Sequence, residues 1–339
     1  MAVIIVTAAI LVLVSILAAL SLGSEHVAFS AVIRSIQHGL SAQPVPTEIA
    51  TDARIVWLLW APRALLALVV GGGLAVIGVG MQTLVRNPLA EPYILGISSG
   101  ASAGLSLFYV GLLPPLAGTY ASRSIAGFVG GLAAIAIVYL IARSGRSISV
   151  SRLLLAGIAM SSLMGAVSSF VTFASPDPGK LRAVLFLLLG SLHGATWEAL
   201  IIPSAAALGG LAVLAGLSRS LDAMLIGEEA AQNLGVPVER AKRILIGLAA
   251  LVTGTLVAVA GPIGFVGLII PHSVRIFTGV THRRLLPLSF MAGGVFLIWT
   301  DLIARTVLPA QDLPVGILTA LCGVPFFLYL LRRQQYAFG

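Results

Sequence analysis

The sequence predicts an all-α, polytopic membrane protein of about ten transmembrane helices, and three observations carry that reading. Hydrophobic residues make up 58% of the 339 and charged residues only 9%, with a mean hydropathy of +1.07, so water cannot be the main solvent for such a surface. The apolar residues gather into runs of the ~20 residues that a helix needs to cross a hydrocarbon core. One run is broken by Gly261, Pro262, Gly264, Gly267 and Pro271. A bilayer tolerates such backbone only where protein or a water-filled path satisfies the freed N–H and C=O groups, so broken spans tend to lie beside a transport route.

The predicted spans run 2–22, 62–82, 93–112, 122–142, 152–173, 197–217, 243–260, 262–278, 285–304 and 312–331. Ala19-Leu20-Ser21 resembles a signal cleavage site, but no Lys or Arg precedes Arg34, so the first run reads as a retained span. The segment 23–61, with Pro44, Pro46, Glu48, Asp52 and Arg54, is too polar for lipid and reads as a surface loop with a short helix at 28–38. The fifth span repeats small residues every fourth position, Gly157, Ser161, Gly165 and Ser169, a face suited to close packing or to lining a path. After it, turn residues from Ser175 to Lys180 lead into Val184–Leu189, too short to span and read as a re-entrant or interfacial helix. Between Ser218 and Lys242, Leu221, Met224 and Leu225 share one apolar face, Gly227 interrupts, and Glu228, Glu229 and onward to Leu234 resume before Gly235-Val236-Pro237. Two short surface helices follow, their apolar face lacking a span to pack against. Cys322 is the single cysteine, which excludes an intramolecular disulfide.

The net charge of +8 is scattered over loops rather than gathered on one face, which argues against nucleic acid. Arg86, Arg143, Arg152, Arg219, Arg240, Arg243, Arg283 and Arg284 crowd short connections on one side, and the positive-inside bias then places both termini in the cytoplasm. No G-x-x-x-x-G-K-[ST] occurs, so the chain has no P-loop for ATP, and H-E-x-x-H, C-x-x-C and G-x-S-x-G are likewise missing. None of the twelve Asp and Glu falls at the middle of a predicted span; Glu91, Glu198 and Asp301 sit near ends. An ion-coupled carrier usually keeps an ionisable group inside the membrane, so the pattern favours an energy source outside this chain.

Several segments together resemble the permease family of binding-protein-dependent ABC importers for iron-siderophore complexes, haem and cobalamin. They are Ala61-Pro62-Arg63, Arg86-Asn87-Pro88-Leu89-Ala90-Glu91-Pro92 with Leu95-Gly96-Ile97-Ser98-Ser99-Gly100-Ala101, Leu154-Leu155-Ala156-Gly157, Gly190-Ser191-Leu192, the broken run ending at Pro271-His272, Asp301 with Arg305, and Leu313-Pro314-Val315-Gly316. The resemblance covers nearly everything from Trp57 to Arg332 and implies a type II ABC importer permease, one transmembrane domain over 1–339 in the cytoplasmic (inner) membrane of a bacterium. Its implied partners are a second permease subunit, identical or paralogous, two cytoplasmic ATP-binding subunits, an extracytoplasmic binding protein and a metal-chelate substrate. No cofactor is expected on this chain, ATP and Mg belonging to the partner subunits. By the same resemblance Arg63 and Arg305 face acidic residues of the binding protein. Three residues before Arg63, where the family often has another arginine, the chain has Trp60, and Arg54 is the candidate substitute. Asn87, Pro88 and Leu89 match the cytoplasmic gate, the stripe Gly157 to Ser169 is a candidate wall of the path, and 221–236 matches the helices that couple to the ATPase. His272 with Arg275 reads as a cap for carbonyls freed by the kink, and His193 as a solvated loop residue.

Overall fold

The computed structural model describes residues 2–23, 27–41, 50–114, 119–145, 147–175, 177–308 and 311–333. Helices dominate it. Among the described residues seven are long and apolar enough to cross a membrane, and three shorter apolar helices, at 97–110, 266–278 and 315–330, fall where the remaining spans are predicted. The chain is thus a multi-pass membrane protein.

In order, α1 is Ala2–Ser21, α2 Phe29–Ser41 and α3 Ala50–Arg54, followed by a π-helical stretch Ile55–Trp60 and α4 Ala61–Val85. The predicted loop before the second span thus carries helix beyond the expected 28–38, and its last part, 50–60, runs as one rod into α4. Pro62 lacks an N–H and loosens the ladder rather than starting it: the Ala61 N–H reaches back five residues to Val56 O. Residues 42–49, with Pro44, Pro46 and Glu48, lie outside the described residues. Then come a 3₁₀ turn Pro92–Leu95, α5 Ile97–Val110, α6 Thr119–Ala142, α7 Val150–Phe173, α8 Pro178–Leu188 and α9 Trp197–Gly216. Two short strands, Arg143–Ser144 and Ser147–Ile148, pair antiparallel between α6 and α7. The predicted short helices appear as α10 Ser218–Ile226 and α11 Glu228–Asn233, and α12 Val238–Ala260, α13 Val266–Thr278, α14 His282–Thr306 and α15 Val315–Arg333 complete the bundle.

Helix α4 is the axis, packed by α14, α12, α9, α13 and α1 and buried along almost its whole length. Its glycines allow this. A Cβ on Gly71 would stand 2.1 Å from Gly293 O of α14, and one on Gly78 would stand 2.1 Å from Gly267 O of α13, so at both points backbone rests on backbone. The outer faces carry large exposed apolar side chains, among them Leu155, Phe170 and Phe173 of α7 and Leu321 of α15, as lipid or a partner helix requires.

Candidate docking surfaces, joints and path

At the end of the bundle where α4 begins, Arg63 and Arg305 do not face outward. Arg63 is 8% exposed and Arg305 5%. Arg63 Nε donates to both oxygens of Asp301 at 2.9 and 3.0 Å, and its Nη1 donates to Asp312 Oδ2 at 2.6 Å. Arg305 approaches Asp301 Oδ2 at 3.4 Å, donates to Ala19 O at 3.0 Å and lies 5.4 Å over the Trp60 ring. The two arginines expected to meet a delivery protein are here bonded inward: a guanidinium withdrawn from water needs acceptors around it, and α1, α14 and the loop before α15 supply them. Trp60 is part of the same assembly, buried beneath Arg305. Arg54 is exposed and is the predicted docking arginine that remains available. His193, exposed as expected, places Nδ1 3.2 Å from Asp312 Oδ2. Burial pushes the Asp312 carboxyl up, but the bond and charge of Arg63, joined by His193, hold it below its ordinary value.

At the opposite end, where α4 stops, Arg86 adopts φ 53 and its N–H reaches back to Gln82 O and Thr83 O, ending the helix. Asn87 Oδ1 then accepts the Leu89 N–H at 2.9 Å, an Asx turn that Pro88 suits. Asn87, Pro88 and Leu89 are each half-buried here.

Helices α10 and α11 flank this turn, and their apolar face is not what the sequence suggested. Leu221 and Met224 are buried in the main core, packed between spans rather than waiting for a partner, and Leu225 is half-buried. The exposed positions are Ile226 at 72% and Leu234 at 68%, together with Glu229. Glu228 instead turns inward to Lys242 Nζ at 2.7 Å, and that ammonium, 1% exposed, also contacts Glu239 at 3.1 Å and Ile148 O at 3.4 Å. Gly227 separates the two helices at φ 140, ψ 154, a positive-φ conformation in which a side chain would be strained even though there is open space beside it. A polar cleft of about 730 Å³ opens here, lined by Arg86, Ser151, Glu228, Glu229 and Gln232 among others. Sequence reading missed Lys242, Asp222 and His282. Only the Glu239–Lys242 spacing of three on one helix signals any of them locally.

The small-residue stripe of α7 divides. A Cβ on Gly157 would stand 2.1 Å from Ile94 O, and Ser161 Oγ donates to Tyr93 O at 3.3 Å, so this half is packed onto the 3₁₀ turn. Gly165 and Ser169 are exposed, with nothing within 4 Å of a Cβ on Gly165. The packing reading of the stripe thus applies to its first half, and the second half faces away from the bundle's contacts.

The glycine-proline break is real. Leu245 of α12 lies against Gly80 and Leu256 against Gly73, so α12 ends toward the beginning of α4, yet a few residues later Gly267 touches Gly78. Residues 261–264 make this return without helical structure. Phe265 closes it at φ 67, its N–H bound to Glu91 Oε2 at 3.1 Å and its ring seated where a Cβ on Gly323 would fall. A bulky residue in the left-handed region costs of order 1–3 kcal/mol and persists only when its neighbours over-determine it, as Glu91 and Gly323 do here. His272 follows inside α13 as a ring contact of Phe326, 6.0 Å between centroids.

Known proteins are similar to this chain in sequence and fold. The cobalamin import permease BtuC of Halobacterium salinarum is 42% identical over 302 residues, 87% of this chain and 78% of its own. The hemin transport permease HmuU of Yersinia pestis is 42% identical over 83% of this chain and 85% of its own, and the Fe(3+) dicitrate permease FecD of Escherichia coli 38% over 81% and 84%. A solved structure described as an inward-facing metal-chelate type ABC transporter superposes with a TM-score of 0.84 at 29% identity, covering 98% of this chain and all of that one. The model of the FecCD transport family matches residues 11–333, and the chain belongs to that family.

Proposed function

We propose that this chain is the membrane-spanning permease subunit of an ABC importer, carrying a metal chelate of the cobalamin, haem or iron-siderophore class inward while separate subunits hydrolyse ATP. The single observation that carries this is the match of residues 11–333 to a family whose named relatives are permeases for cobalamin, hemin and ferric dicitrate. The geometry agrees with it. A permease driven from outside needs a surface for its motor, and α10 and α11 offer Ile226, Glu229 and Leu234 beside a polar cleft. It also needs a route, and Gly165 and Ser169 leave a small-residue, exposed stretch on α7 with open space beside Gly165.

In this reading the α10–α11 end faces the cytoplasm with both termini, consistent with the arginines in its short loops. The chain performs no covalent chemistry, and ATP and Mg sit on the two ATPase subunits. A second permease, identical or paralogous, completes the path, and an extracytoplasmic binding protein delivers the chelate at the Arg54 end. The membrane is the cytoplasmic membrane of a bacterium. ATP-driven movement of the partners shifts the spans between inward- and outward-open states.

The test is reconstitution in proteoliposomes with the ATPase and the delivery protein, supplying cobalamin, hemin and ferric citrate in turn. Accumulation of one of them that requires ATP supports the proposal. Accumulation by this chain alone under an imposed ion gradient, without ATP, would replace it with an ion-coupled carrier.

A further inference from the structure

His282 is fully buried at the meeting point of α10, α4 and α14. Asp222 of α10 accepts two hydrogen bonds on one oxygen, from the His282 backbone N–H at 2.9 Å and from Nδ1 at 2.6 Å. The other ring nitrogen, Nε2, lies 2.8 Å from Thr83 Oγ1 in the last turn of α4. The first N–H groups of a helix have no partner within it, and a carboxylate there is favoured by the helix dipole. In α14 the residue at the capping position, Thr281, makes no side-chain cap. The helix takes its cap from α10 instead.

We propose that Asp222, His282 and Thr83 form the joint through which a displacement of α10 is passed to α4 and α14; the inference rests on the importer reading above. Four observations support this transmission. Helix α10 carries the exposed Ile226 at one end of its nine residues, and its Leu221 and Met224 are locked in the core, so it cannot slide without moving what they touch. Helix α11 is anchored elsewhere, through Glu228 and Lys242 to α12 and the strand at Ile148. Gly227 between them is non-helical and uncrowded, so each short helix moves with its own anchor. Finally, α4 and α14 behave as one body: they are fastened by His282–Thr83 at one end, by backbone contact at Gly71 and Gly293 in the middle, and by Arg63–Asp301 at the other end. A push at the joint therefore reaches the far side of the membrane, about 37 Å away for a 25-residue helix.

The test is the number of probe molecules accumulated per ATP hydrolysed by the whole complex in proteoliposomes, the probe being whichever of cobalamin, hemin or ferric citrate the wild type accumulates. Asp222→Ala removes the oxygen that accepts both bonds and is expected to lower this ratio by about tenfold, in the range of ordinary coupling free energies, with the ATPase still co-purifying. Asp222→Asn keeps an acceptor oxygen in place and is expected to restore most of it. An unchanged ratio in Asp222→Ala, or an equal fall in both variants, overturns the joint. Should Asp222→Ala fail to assemble, Thr83→Val decides, because it leaves α10 and the α14 cap intact: a lowered ratio supports the joint, an unchanged one overturns it. A wild-type complex that accumulates none of the three probes with ATP overturns the importer reading and the joint with it, whereas normal wild-type transport with indifferent variants removes the joint alone.

Discussion

The two ends of the bundle both hold buried charge, but they use it differently. At the Arg63 end, two guanidiniums and Asp301 are buried together, and the network gathers α1, α4, α14 and two loops into one knot. At the Lys242 end the charges are divided: Asp222 ties α10 to α14, Lys242 ties α11 to α12, and nothing polar joins the two anchors among the described residues. A single knot resists relative motion of the helices it joins, while two separate anchors permit it. The difference teaches where the chain is built to hold and where it is built to move.

Breaking the knot should have the largest effect. Asp301→Ala leaves Arg63 with Asp312 alone and Arg305 without a carboxylate in a buried site, and removing one partner of such a group costs about 3–5 kcal/mol. A markedly lower thermal midpoint in detergent is expected, and an unchanged midpoint would show that the knot holds nothing. Next is Lys242→Met, expected to cost about 1–3 kcal/mol, because Glu228 and Glu239 are each 29% exposed and can rehydrate. Its signature is different: faster hydrogen exchange in α11 with α4 and α14 unchanged. Faster exchange spread over all three helices would erase the distinction between the ends.

A smaller effect comes from pH. Because Asp312 is held below its ordinary 3.8 in the folded chain, the stability it contributes is fully present above that value and is lost as pH falls through the lower folded one. Asp312→Asn should thus lower the midpoint at pH 7, and the gap from wild type should close only in the acid range below the ordinary carboxylate value. A gap that closed between pH 7 and 5 would assign the effect to another group. Smallest for stability, and largest for assembly, are Ile226→Asp and Leu234→Asp: both side chains are mostly exposed, so the midpoint should hold while co-purification of the ATPase is lost. Retained co-purification would place the motor elsewhere.

Much of the fold was legible because a lipid-facing helix writes itself locally: every predicted span has its helix, and the short helices at 28–38 and 221–234 appear within a few residues. Local signals also read a break from Gly261 to Gly264, although Gly267 and Pro271, counted with it, lie inside α13. What failed was long-range. Arg63 reads as an outward charge at a helix start until Asp312, 249 residues later, is folded against it. Leu221 and Met224 show the right apolar period, but period alone does not say which neighbour covers the face. Lys242 looks like one more basic residue of a positive loop, and only the approach of Glu228 and Ile148 O makes it an anchor.

The interruption at Gly261–Gly264 has a mechanical meaning of its own. A continuous helix transmits twist along its axis because each hydrogen bond fixes the next turn, and α12 and α13 are joined by a stretch in which that ladder is absent. Rotation of α12 about its axis therefore stops at Ala260 instead of winding into α13. The two halves can take up different torsional states, much as a universal joint separates the rotation of two shafts, while Glu91 and Gly323 keep Phe265 in register.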